Sequence, residues 1–173
     1  MKKKFCFLVL LFLLVLPISV FADYLYTESM QVSGGGGVWN RWYTDYETSD
    51  GVEVFCVENI AIDKTNHKYD FYTVDNSLVD YGLDQAYVNR LREATWYANA
   101  WATNAASKHD AQVAIWKTLF TPDLDNKTAT AGAAALMAAF DDPDTNDRYD
   151  YVDDWLLAVS PSEPRVIEYG EVG

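Results

Sequence analysis

The chain has 173 residues, half of them apolar and 15% aromatic, which is enough for one folded domain and argues against disorder. Thirteen basic residues face 26 acidic ones, a formal charge of −13. So acidic a chain is repelled by nucleic acid and by anionic membrane surfaces, leaving carbohydrate, protein amines and divalent cations as partner classes.

Residues 1–22 read as a cleaved export signal. Lys2, Lys3 and Lys4 precede an apolar stretch from Phe5 to Leu16, Pro17 breaks it, and Val20 and Ala22 occupy the minus-three and minus-one positions of a cleavage site. The stretch is shorter than the roughly 18 residues a membrane anchor needs, so no span is expected after signal removal. Cleavage leaves one domain, residues 23–173, with a formal charge of −16 because three lysines depart with the signal. With no wall-sorting or Pro-Glu-Pro signal in the sequence, the secreted product is expected to be soluble, held at the surface by another protein, or represented here by a short form.

Along the mature chain the period of the pattern changes once. Tyr24 to Val32, Val38 to Tyr46, Val52 to Ile62 and His67 to Val74 alternate or are β-branched between turn-like segments, the first ended by the tract Gly34 to Gly37, and predict strands. Asp84 caps a predicted helix from Gln85 to about Ala102, with Ala86, Leu91, Ala94 and Ala98 as inner positions. Ser107 caps a second from Lys108 to about Leu119, and Thr128 to Phe140 is an Ala-rich third despite Gly132. Tyr149 to Val159 and Arg165 to Tyr169 predict late strands. The expected class is α+β: an antiparallel β-barrel or sandwich framework with an inserted helical subdomain.

Two residues do not fit this scheme. Cys6 leaves with the signal, so Cys56 is the lone cysteine of a product sent to an oxidising compartment, where an intramolecular disulfide is impossible. It is an intermolecular half-cystine, a free thiol, a thiol consumed by other covalent chemistry, or a small buried hydrophobe. On the second helix, winding at about 100° per residue puts Gln112 in the middle of a stripe with Ile115, Trp116, Leu119 and Phe120, opposite Asp110, Ala114, Lys117 and Thr118. Burying that amide without partners costs about 1–3 kcal/mol. Either strand backbone satisfies it, or chemistry consumes it. Cys56 is flanked by Phe55 and Val57 on one face and Val54 on the other, as in a strand covered on both sides, so a helix across it would bring thiol and amide together. Attack of the thiolate on the Gln112 carboxamide carbon, with loss of ammonia, gives an internal thioester, a latent electrophile for an amine on a partner.

The pair Val54-Phe55-Cys56-Val57-Glu58 and Ala111-Gln112-Val113-Ala114-Ile115-Trp116 resembles the Cys and Gln motifs of bacterial surface thioester domains, and is similar to the "FCVE" and "QxAIW" pair of exosortase-sorted (PEP-CTERM) exported proteins. Ala111 stands where a threonine often precedes the family's glutamine. The resemblance implies that Cys56 and Gln112 form the thioester, that the domain couples once to an amine-bearing protein or other surface ligand without turning over, and that no cofactor takes part. The alternative is a non-covalent structural or matrix-associated domain in which both residues are merely buried.

Other constellations carry less. Asp142, Asp144, Asn146, Asp150 and Asp153 partly match a calcium-loop spacing, but Asp147 replaces the turn glycine and the default is a solvated acidic loop. His67 and His109 lack neighbours at zinc spacing, so no metal site is expected. Cys56 with His109 as a cysteine hydrolase pair is disfavoured by a mid-strand cysteine. Trp39, Trp42, Tyr43 and Tyr46 either stack on sugar rings or pack a core. Asn126-Lys127-Thr128 is a glycosylation sequon without an assigned role.

Overall fold

A computed structural model describes residues 24–30, 32–33, 47–48, 54–57, 67–120, 128–159 and 166–169. The export signal, the glycine tract, the aromatic segment from Trp39 to Tyr46 and the sequon at Asn126 lie outside the described residues.

The strands are β1 (Tyr24–Met30), β2 (Val32–Ser33), β3 (Glu47–Thr48), β4 (Val54–Cys56), β5 (His67–Thr73), β6 (Trp155–Val159) and β7 (Val166–Tyr169). Between β5 and β6 run three helices, α1 (Gln85–Ala102), α2 (Lys108–Leu119) and α3 (Ala131–Asp141). A 3-10 helix, Asn76–Tyr81, follows β5 where no element was expected; Asp75 caps it and Gly82, at φ 84°, closes it in the left-handed region.

The expected barrel or sandwich with a helical insert is corrected. The described residues hold more helix than strand, so the helices make up the bulk of the fold rather than decorating it. The strands pair antiparallel in one open sheet, in the order β1-β5-β6-β7-β4, and β2 and β3 form a separate two-stranded ribbon. Among the described residues β1 and β4 are the edges, and no pairing closes the sheet. The reason lies in the helices: they cover one face of the sheet with Val88, Leu91, Ala94, Tyr97 and Ala98 of α1 and Ala111, Val113, Ile115 and Leu119 of α2, packed on Phe55, Trp155 and Leu157. A second sheet is not needed to bury that face.

Helix starts follow the sequence closely. Asp84 accepts from the Ala86 and Tyr87 N–H groups, Ser107 from Asp110 N–H, and Thr130 from Ala133 N–H, so the third helix begins later than its Ala-rich pattern suggests. Two inner-face assignments fail. Ala86 is exposed while Val88 is buried, and α2 is not amphipathic: Ala114 and Thr118, assigned to the solvent arc, are buried along with the predicted stripe. The cause is that α2 lies between two other helices. On one side Thr118 donates to Glu93 of α1 at 3.0 Å, and Tyr97 donates to the same carboxylate oxygen at 2.5 Å. Burial pushes the Glu93 carboxyl up and, with the neighbouring Glu93 charge, the Tyr97 phenol far up.

On the other side, Asp110 of α2 accepts from Ser107 Oγ at 2.7 Å and from Thr130 Oγ1, the α3 cap, at 2.5 Å. These bonds hold the Asp110 carboxyl below its usual value. A Cβ on Gly132 would lie inside van der Waals contact of that carboxylate, which explains a glycine in the first turn of α3. Gly132→Ala is therefore expected to displace Asp110 and, despite a helix-propensity gain of about 1 kcal/mol, to lower stability by about 1–2 kcal/mol. In an Asp110→Ala background the same change should become stabilising; urea unfolding of the four variants measures the sign reversal.

Candidate functional site

β4 is an edge strand with no exposed side: Val54, Phe55, Cys56 and Val57 are 0, 0, 1 and 0% exposed. Phe55 and Val57 belong to the helix-side core. Cys56 aligns with Val166, Val166 with Ala158, and Ala158 with Phe71, which puts Cys56 on the opposite face with Phe71 and Ala158, both also buried. The expectation of a strand covered on both faces holds. An edge strand so covered has main-chain groups on its open side that water does not reach, and each needs a partner.

Gln112 supplies it. Cys56 N–H donates to Gln112 Oε1 at 2.9 Å, and Gln112 Nε2 donates to Cys56 O at 2.7 Å. The carboxamide presents an acceptor and a donor with the spacing of a peptide group, so it pairs with Cys56 as a further strand would. Gln112 itself is 0% exposed. α2 therefore meets β4 at its edge rather than lying across it. One residue on, Tyr87 OH of α1 donates to Val57 O at 3.1 Å, so both long helices are bonded to the end of this strand.

The structure thus brings together the two residues that the sequence singled out. The Cys56 side chain is buried, in the same residue whose main chain clasps the Gln112 amide, and makes no disulfide among the described residues. The hydrogen bond from Cys56 N–H polarises the Gln112 carbonyl in the direction that favours nucleophilic addition at its carbon.

Beside the pair lies an aromatic cluster that sequence reasoning did not identify. Phe55 meets Trp101 and Trp155 edge-on, each with ring centroids 5.6 Å apart. Lys108 Nζ sits 5.7 Å from the Phe55 ring and 5.5 Å from the Trp101 ring. Lys108 is one helical turn before Gln112, a spacing visible in the sequence; the approach of Trp101 from the end of α1 is not.

The remaining candidates do not assemble. No group of three or more His, Cys, Asp or Glu residues among the described residues could hold a metal ion. In the acidic loop, Asp142 accepts from Asp144 N–H, and Asp147, the residue in place of the calcium-loop glycine, accepts from Trp96 and Tyr151. His109 Nε2 is buried with no hydrogen-bond partner among the described residues, and Cys56 lies on a strand rather than on the first turn of a helix. A cavity of about 150 Å³ lined by Tyr72, Leu78, Tyr81, Leu83, Leu157 and Val159 includes none of the site residues. No helix among the described residues is long and apolar enough to cross a membrane.

Comparison with known proteins gives no match to any protein-family model, curated protein or solved structure.

The main-chain pairing can be measured without any thioester. In a Cys56→Ala background, where no thiol is present but the main chain is unchanged, Gln112→Leu strands a buried N–H and a buried C=O. A loss of about 2–5 kcal/mol in urea unfolding is expected; a loss below about 1 kcal/mol contradicts the pairing.

Proposed function

We propose that this protein is a secreted covalent adhesion module in which Cys56 and Gln112 form an internal thioester that acylates an amine on a partner surface. The observation that carries the reading is the double hydrogen bond between the Gln112 carboxamide and the main chain of Cys56, the residue that also bears a buried thiol.

The chemistry balances in two steps. Cys56 Sγ adds to Gln112 Cδ, the C–N bond breaks, and the thiol proton leaves with the amide nitrogen as ammonia. A partner amine then adds to Cδ, the C–S bond breaks, and the proton lost by the amine returns to Sγ. The product is an amide between Gln112 and the partner, with the Cys56 thiol restored. Cys56 N–H donates to the carbonyl oxygen throughout, and burial of both residues excludes water, the competing nucleophile. No cofactor enters either step. Because Gln112 is used up, each molecule couples once and does not turn over.

A second reading has its own support. Both polar ends of the Gln112 amide are already satisfied by Cys56, so the glutamine also serves as a structural clasp in a non-covalent domain. Intact mass spectrometry of the mature protein separates the two. The thioester reading expects a mass one ammonia below the calculated value, restored by Cys56→Ala or Gln112→Ala, and addition of methylamine with release of one titratable thiol. The full calculated mass, with the thiol titratable from the outset after denaturation, would leave only the clasp.

A further inference from the structure

We propose that the angle between the Phe55 and Trp101 rings is an ammonium-binding subsite that receives the acceptor amine before it reaches Gln112, and that Lys108 occupies this subsite until the partner displaces it. The inference rests on the thioester reading for its chemistry, but the subsite itself rests on geometry. The two rings stand nearly perpendicular, at 73°, and the Lys108 ammonium lies within 6 Å of both centroids, at 5.7 and 5.5 Å. A cation placed over two ring faces is held by their quadrupoles, and the same geometry accepts any alkylammonium of similar size.

Three features tie this subsite to Cys56 and Gln112. Phe55 directly precedes Cys56 in β4. Lys108 precedes Gln112 by four residues, so the two side chains share one face of α2. And Lys108 is the first residue of α2, where the helix dipole disfavours a cation, while the two rings attract one. Trp101 and Lys108 are half-buried while Phe55 is fully covered, so movement of Lys108 opens the Phe55 ring from the solvent side. A partner lysine then takes the same position as an ammonium, gives its proton to a solvent base, and attacks Gln112 Cδ as the neutral amine. Hydroxyl-bearing partners, lacking the charge, gain nothing from the rings.

Tetramethylammonium, added as the chloride, is the probe: a quaternary cation that has no lone pair and cannot be acylated. It is titrated at constant ionic strength while the Trp101 indole N–H resonance is followed by NMR. Lys108→Met should show a saturable shift at a concentration about tenfold lower than wild type, because its own ammonium no longer competes, and Lys108→Met/Trp101→Leu should show none. Lys108→Gln serves equally if the Met variant does not fold. Absence of saturable binding in the folded Lys108 variant overturns the subsite. Where the starting mass shows the ammonia deficit, tetramethylammonium should also slow methylamine incorporation into Lys108→Met; binding without slowing would mean the subsite has no part in delivery. A full starting mass together with tetramethylammonium binding would instead sink the thioester and leave the cation site standing.

Discussion

A strand at the edge of a sheet, covered above and below, has main-chain donors and acceptors that neither a neighbouring strand nor water satisfies. In this protein that strand is β4, and the Gln112 carboxamide takes the place of the missing neighbour at Cys56. The rest of the arrangement depends on this bond pair. It fixes α2 against the sheet edge, and α2 in turn anchors α1 through Thr118 and Glu93 and α3 through Asp110 and Thr130. Losing the amide would leave two buried polar groups stranded at the point where the helical layer meets the sheet.

The proposed chemistry rests on the same contact. A hydrogen-bonding clasp and the proposed coupling use the same two residues; the clasp is the pair of bonds to the Cys56 main chain, and the coupling would add attack of the Cys56 thiol on the amide carbon. The surroundings favour a reactive acyl group that survives: Cys56 and Gln112 are out of solvent, while one turn away Lys108 and Trp101 are half-exposed. Burial of the pair together with partial exposure of Lys108 and Trp101 is the combination that the proposed single-use coupling requires.

Much of this was legible in the sequence, and the failures have a common cause. Asp84, Ser107 and the regular spacing that follows each of them set the start of α1 and α2, because caps and period are local properties of the chain. Cys56 and Gln112 stood out because each is chemically out of place, one as the lone cysteine left after an expected export signal and the other as an amide in an apolar stripe. What could not be read was how elements distant in sequence meet. Ala114 and Thr118 occupy a small, mildly polar arc that looks solvent-facing until α1 and α3 are placed against it. The barrel or sandwich assumed that β-rich segments would close on themselves, whereas the helices bury the sheet face and leave β1 and β4 as edges. Trp101 joins Phe55 only through the packing of α1 on β4, so the ring pair around Lys108 had no signature in the order of residues.

The most direct measurement is a high-resolution crystal structure of the mature protein, purified without amines or reducing agents. Continuous density joining Cys56 Sγ to Gln112 Cδ, with Nε2 gone and the carbonyl oxygen still accepting from Cys56 N–H, is the predicted result. An intact carboxamide turned away from β4, with the main-chain groups of Cys56 bonded elsewhere, would contradict both the coupling chemistry and the packing that supports it.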